Sequence, residues 1–360
     1  MPQDENFWNP YRWVPVSKDK VARERPAYRH QWQGLSGRLA CTLEALTPIL
    51  IGSSRGDGRF IRNSKGQPFI PSTSLKGLIR SLAELVGNAC IPFPNGNADE
   101  NHKLSKASEG NGVNWKLDIA ARMFGYLDQG RVFAGLVRFS DGELQGKVKE
   151  IGPFKVVVGQ PQPERHRPFY LDDAQRKFYH HQPEATGLVQ GTTQTRTVQP
   201  LPPGVQFTFA VDFENLREDE LALLLYCLEL EDNVTVTLSK EALGPDARES
   251  VKLTGPLRHK LGGCKPQGGG SVKIRIDKMT LYAMSERYRG QAPTHREWEG
   301  EALRTEVERR IKPIVARQDE TMRHLRAMLI YCKDDPRRPI HYPTYDWFRH
   351  DTGKRLKPTL

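Results

Sequence analysis

Two stretches of this 360-residue chain make the same change of period, from alternation to helical spacing, and that change restricts the available folds more than any other feature. Leu39, Cys41, Leu43 and Ala45 alternate with Arg38, Ala40, Thr42 and Glu44, the period of two of a strand with one buried face. After a Gly-rich interval, Leu75, Leu78, Ile79, Leu82 and Leu85 fall on one side of a helix that Ser72, Thr73 or Ser74 can cap. Val205, Phe207, Phe209, Val211 and Phe213 alternate again, and Leu221, Leu224, Leu225 and Leu228 follow at helical spacing. Between the two units, a short helix at Ile119 to Phe124 leads into VFAGLVRFS (132–140), read as one strand ending at the Asp141-Gly142 turn. Val272, Ile274 and Ile276 alternate with Lys273 and Arg275 as a last strand, one face apolar and one basic. Strand, helix, strand, taken twice, predicts an α+β fold with a ferredoxin-like (RRM-like) antiparallel sheet and helices on one face.

The remainder divides around that core. Residues 1–34, rich in Pro, Arg and aromatics, read as an extended arm anchored by Trp8, Tyr11 and Trp13. The ferredoxin-like domain is expected over 35–285, interrupted by a polar surface loop at 87–115 and by an insertion with a hairpin at 150–200, which opens with a strand at Phe154 to Val158. A helical extension over 286–360 carries the stripe Leu303, Val307, Ile311, Met322, Leu325 and Leu329, with Pro313 kinking it or opening a second helix.

Lysine and arginine number 54 against 43 acidic residues, a net charge of +11, so the surrounding field draws in polyanions. No run approaches the roughly 20 apolar residues of a membrane span, and Met1 to Val16 lack the order of a secretory signal, so a cytoplasmic setting without a membrane is expected. Five scattered cysteines without a C-x-x-C pair read as free thiols, not as a zinc site.

Two constellations suit a phosphate backbone. Over 52–80, Gly52, Gly56, Gly58 and Gly66 permit close backbone approach, and Arg55, Arg59, Arg62 and Lys65 supply charge. The helix after Pro71 points its positive end the same way, with Lys76 and Arg80 on one face and Gly77 between them. LGGCKPQGGGSVKIRI (261–276) forms a second rim through Lys265, Gly268, Gly269, Gly270 and Lys273. Its glycines precede a strand, the reverse of a Rossmann or P-loop order.

The ordered blocks TPILIG (47–52), PFIPSTSLKGLIRS (68–81), MFGY (123–126), FAGLVRFSD (133–141) and LGGCKPQGGGSVKI (261–274) resemble the signature of the RAMP superfamily. The opening FWNPYRWVPV and the closing PIHYPTYDWF are similar to RAMP proteins of type III-D-like and III-E-like CRISPR systems. The resemblance implies a guide-RNA backbone subunit of a type III CRISPR effector complex, with guide RNA, target RNA and other type III subunits as partners. It implies guide contacts from Ser72, Thr73, Ser74, Lys76 and Gly77 and from the Gly-rich loop. It also implies a thumb around 155–199 that includes Arg165, His166, His180, His181 and Arg196. Asp57 falls where active members carry the carboxylate that cuts target RNA, acting as a base or through a divalent metal, Mg or Mn. The Ser-Thr-Ser of this chain stands where Gly-Ser-Ser is commoner in the family.

Three other readings stay open on the sequence. The chain could be a RAMP subunit without the cut, a guide-precursor processing endoribonuclease built on a histidine acid-base pair, or an ordinary RNA-recognition domain. The last would stack bases on aromatics of its central strands, and VFAGLVRFS and SVKIRI lack such a pair.

Overall fold

The computed structural model describes residues 9–28, 31, 33–52, 56–91, 100–128, 130–157, 175–184, 195–243, 247–283, 295–337 and 340. The strand β1 (Tyr11–Pro15) precedes the first long strand, β2 (Leu35–Ala45), whose Leu39, Cys41, Leu43 and Ala45 are buried as the period of two requires. The two-residue strand β3 (Phe69–Ile70) leads into α1 (Ser72–Val86). There follow β4 (Ser108–Glu109), β5 (Lys116–Leu117), α2 (Ile119–Phe124), the hairpin of β6 (Tyr126–Asp128) with β7 (Arg131–Phe133), and two short strands, β8 (Val137–Phe139) and β9 (Gly142–Leu144). The insertion contributes β10 (Phe154–Val157), β11 (Gln175–Tyr179) and β12 (Thr195–Val198). The second unit is β13 (Gln206–Leu216) and α3 (Glu218–Leu228), followed by β14 (Val234–Leu238), α4 (Lys240–Leu243) and β15 (Val251–Gly255). The chain continues through β16 (His259–Lys260), β17 (Ser271–Tyr282) and β18 (His295–Glu299) to α5 (Gly300–Val315) and α6 (Glu320–Leu329).

The result is a mixed α and β fold around one antiparallel sheet in the order β16-β17-β2-β13-β9-β3, with β8 beside β13 and β18 beside β17. Alternate residues of the long strands, among them Leu43, Phe207, Val211 and Ile274, are buried on one face. Against the sheet lie α1, packed on β8 and α3, and α3, packed on β17 and α5. The opposite face carries polar residues, and two bulges shape it. Asp277 is extruded from β17, where its carboxylate accepts from Thr42 at 2.6 Å and from Arg275 at 2.7 Å. Asn215 of β13 takes a positive φ of 58°, and its side-chain oxygen accepts the amide of Gly34 at 2.7 Å.

Several expectations are corrected. VFAGLVRFS is not one strand, because the chain leaves the ladder between β7 and β8. At Gly135 a Cβ would lie 2.4 Å from the carbonyl carbon of Phe124, so the backbone there packs on the end of α2 and leaves the strand. The serine and threonine hydroxyls do not cap α1. The amide of Ser72 donates to the carboxylate of Asp141, at 2.7 Å, from the turn between β8 and β9. Residues 100–115 are no plain surface loop, since β4 pairs with β5 and His102 is buried with its Nε2 2.8 Å from Asn88 Oδ1. The last helical run is two helices, α5 holding Pro313 in its final turn and α6 starting afresh where Asp319 accepts the amide of Met322. The N-terminal segment is partly a strand, β1 pairing antiparallel with β11 of the insertion while α6 packs on both. Trp8 lies outside the described residues.

All five cysteines are free, Cys41, Cys90 and Cys227 buried, Cys264 and Cys332 half-buried. Among the described residues no helix is long and apolar enough to cross a membrane.

A buried ion pair joins the two helical units. Arg122 of α2 meets Glu220 in the first turn of α3 at 2.7 Å, and the same carboxylate accepts the amide of Arg217 at 3.0 Å. Arg122→Met leaves buried Glu220 only the more distant guanidinium of Arg217, at 3.9 Å, and should cost up to about 3–5 kcal/mol in chemical denaturation. The double variant with Glu220→Leu should recover much of that loss, and equal losses in single and double variants would contradict the coupling.

Candidate nucleic-acid interface

The chain leaving β2 is held on two sides before it reaches the first Gly-rich segment. Ile49 bridges to Leu201 and Leu50 to Gly263, after which Gly52 bridges to Phe60 and Arg62 to Pro68, folding the excursion back towards α1. At its tip Asp57 is exposed, flanked by Gly56 and Gly58 at φ of 67° and 74°, and its Oδ1 accepts the amide of Arg59 at 3.0 Å. The insertion grips this tip. Gly58 lies so close to β12 that a Cβ would stand 2.0 Å from the carbonyl oxygen of Thr197. The amide of Gln199 donates to Gly58 O and the guanidinium of Arg196 to Gly56 O, each at 2.8 Å. Arg59, Lys65 and Arg196 are exposed, whereas Arg62 is occupied by Gly66 O and by Glu150 at 2.9 Å. Arg55 lies outside the described residues, as do Arg165 and His166.

The second Gly-rich segment meets the first at residues 48–50. Gly263 donates to Leu50 O at 2.7 Å and Gly270 to Pro48 O at 2.8 Å. Gly268, Gly269 and Gly270 are buried, their amides donating to Lys265 O, Cys264 O and Pro48 O, so they shape the loop from within and do not form an exposed rim. Lys260, buried beneath them, donates to the carbonyls of Gly268 and Gly269 at 3.0 and 2.9 Å. Burial, with the charge of Lys265 added, pulls its ammonium down to about 7. Lys265 remains half-buried at the loop, and Lys273 is half-buried opposite Glu44 in the β2 ladder.

On α1, Thr73 and Gly77 are exposed, and Ser72, Ser74 and Lys76 are half-buried. Among the described residues nothing lies within 4 Å of where a Cβ would stand at Gly77, so their packing does not explain a glycine that costs the helix about 1 kcal/mol. Lys76 is lowered by burial and by the neighbouring charge of Arg80. Arg80 itself is turned inward to Glu84 at 2.8 Å and Gly125 O at 3.1 Å. Exposed cations, a bare helix turn and a tight glycine loop within one chain excursion suit the non-bridging oxygens of a sugar-phosphate strand.

The polar face of the sheet is a different surface. Arg38 pairs with Asp212, Arg138 with Glu214, Arg275 with Asp277 and Lys278 with Glu297, so its cations are already neutralised. Phe207, Phe209 and Phe213 of β13 point into the core, and β2 carries no aromatic residue, so these central strands offer no ring for a base to stack on.

His180 and His181 fall out of the site. Both are buried, and burial together with nearby cations holds each well below the usual imidazole range. His181 is locked between Ser271 Oγ at 2.8 Å and Arg258 O at 3.0 Å. A metal fits poorly as a protein-held group, because among the described residues no three His, Cys, Asp or Glu side chains converge. Asp57 would offer one ligand where magnesium takes six.

Sequence reading missed Tyr179 on β11 and Lys260 on β16, which touch the Gly-rich loop, and Lys177 on β11, whose ammonium lies over the ring of the arm's anchor Tyr11. Lys177 and Tyr179 lie in a segment without a period, and their position depends on the pairing of β11 with β1.

A model of the RAMP superfamily matches residues 42–240, more than half of the chain, and the chain belongs to that superfamily. Membership places it among CRISPR-associated RNA-binding proteins. No curated protein matches it.

Lys260 makes stability at this loop depend on pH. Its proton is held at about 7 in the fold against 10.5 in the unfolded chain, so between those values the unfolded state binds more protons and stability rises with pH. From pH 7 to 9 the melting temperature of the native protein should therefore gain on that of Lys260→Met, and a constant gap would contradict a neutral buried amine.

Proposed function

We propose that this protein is a guide-RNA-binding backbone subunit of a type III CRISPR interference complex, of the III-D-like or III-E-like kind, acting in the cytoplasm. We further propose that it cleaves the paired target RNA through Asp57. The observation that carries the reading is the exposed Asp57 tip, clipped to β12 of the insertion and joined through β3 to α1, which carries Lys76. The sheet order supports the ferredoxin-like core that the superfamily implies, since the last long strand, β17, lies beside the first, β2, and β13 separates β2 from β8 and β9.

In this reading Arg59, Lys65, Lys76 and Arg196 take phosphates, while Ser72, Thr73 and Ser74 offer hydroxyls and Gly77 admits the strand close to the helix. The Asp57 carboxylate takes up the proton of a target 2′-hydroxyl as that oxygen attacks the adjacent phosphorus. The bond to the 5′-oxygen breaks, that oxygen gains a proton from water, and the ends are a 2′,3′-cyclic phosphate and a 5′-hydroxyl. Arg59, whose backbone amide binds the carboxylate, and Arg196, whose guanidinium binds the neighbouring Gly56 O, are the nearby cations for the negative charge that grows on the phosphate. A divalent ion, if one were held there, would have Asp57 as its protein ligand and would supply Lewis-acid polarisation.

A subunit without the cut is the second reading, favoured by the absence of a convergent acid-base or metal-ligand group among the described residues. The buried, locked His181 and buried His180 speak against a guide-processing ribonuclease of the histidine type.

In the assembled complex, Asp57→Ala should slow target cleavage about 100-fold or more while guide RNA stays bound. Unchanged fragments would leave the structural reading standing. Guide affinity should fall steeply with salt, log Kobs against log salt losing about 0.7 for each phosphate contacted. A flat response in a binding titration would remove the phosphate-tracking interface.

A further inference from the structure

Two lysines from distant parts of the chain converge on one aromatic ring without a carboxylate between them. Lys177 of β11 has its ammonium 3.6 Å from the ring centre of Tyr11 and 5.1 Å from that of Tyr179. Lys265 of the Gly-rich loop stands 5.3 Å from the same Tyr179 ring. The arrangement is built, not accidental to two loose side chains. β1 holds Tyr11 opposite Tyr179 in the ladder, and Gln182, just beyond β11, donates to Pro266 O at 3.2 Å, tying that segment to the loop.

The charge is out of balance. Several covered cations have acids, as in Arg122 with Glu220, Arg326 with Glu231 and Arg310 with Glu306, while buried Arg12 and Lys260 are held by backbone carbonyls. Neither Lys177 nor Lys265 has an acidic partner among the described residues, although both are half-buried. Burial and the charge of Lys265 bring Lys177 down to about 8, burial lowers Lys265, and Lys260 adds a third amine beneath the loop. The rings stabilise the ammonium groups but do not neutralise them. Like charges held together in a covered place, with no acid beside them among the described residues, are the arrangement an anion would complete.

We propose that Lys177 and Lys265 together bind one phosphate group of an RNA strand, with Tyr179 as the wall they share. The inference rests on the RNA-binding reading and extends it, because it takes the strand beyond the Asp57 tip. Arg196 donates to Gly56 O and lies near enough to the thiol of Cys264, next to Lys265, to oppose the rise that burial gives it, so cations continue from that tip across the loop to β11. It also gives the N-terminal strand a role, since Tyr11 positions Lys177.

The test uses the full chain and a single-stranded RNA carrying the guide sequence, titrated over a salt series with the native protein, Lys177→Gln, Lys265→Gln and the double variant. Each single change should weaken binding several-fold and lower the salt slope by about 0.7, the double by about 1.4. Thermal melting should stay level or rise, since an uncompensated cation has been removed, whereas a merely structural lysine would lower it. Native binding with an unchanged slope in the double variant overturns this inference and leaves the RNA-binding reading intact. If the native chain binds no RNA, that reading fails, and acetylation of the two lysines with and without inorganic phosphate decides the site separately. Protection of both supports a phosphate site for a free anion, and protection of neither overturns it.

Discussion

Along nearly its whole length β2 is hydrogen-bonded to β13 on one side and to β17 on the other, both antiparallel. That double pairing decides where chemistry can sit. Antiparallel neighbours place the end of one strand beside the start of the next, so the chain leaving β2 at Ala45 emerges where the Gly-rich loop enters β17 at Ser271 and where β13 begins. Two glycine-rich segments about two hundred residues apart in sequence are thereby brought to one end of the sheet, and the bonds from Gly263 and Gly270 to Leu50 and Pro48 fasten them.

Charge follows the same division. On the polar face of the sheet arginines and lysines are matched by Asp212, Glu214, Asp277 and Glu297, and inside the molecule Arg122 and Arg326 are matched by glutamates. At the loop end Lys177 and Lys265 lack such acids among the described residues, and the amine of Lys260 is spent on carbonyl oxygens. The excess of basic residues in the composition is thus not spread as a uniform field. Among the described residues it is least compensated near the exposed Asp57 tip and at the Gly-rich loop, and around the half-buried Lys177 and Lys265 reduced water access strengthens electrostatic attraction for an anion.

The insertion connects the two halves of this picture. Through Thr197, Gln199 and Arg196 it holds the Asp57 tip, and through β11 it pairs with the N-terminal strand and presents Lys177 and Tyr179 to the Gly-rich loop. A glycine is needed at position 58 for two separate reasons, its positive φ and the approach of Thr197 O, so the position of the carboxylate depends on a contact with a segment about 140 residues later.

Periodicity alone determined the buried faces of β2, β13 and β17 and the helices α1, α2 and α3, because alternation and helical spacing report local burial directly. Glycines and cations near 52–80 and 261–275 likewise marked the end of the molecule where the loops gather. Tertiary structure decided the rest, and each case turns on a neighbour far along the chain. Gly135 breaks a strand because α2 lies against it, and Asp141 takes the cap that Ser72 to Ser74 could have supplied. His180 and His181 are buried out of reach, and Gly268 to Gly270 turn inward over Lys260. Lys177 gains its setting from β1. A residue's spacing carries information about the face it shares with near neighbours, but which distant segment covers that face is set by strand pairing and packing, and no local pattern encodes it.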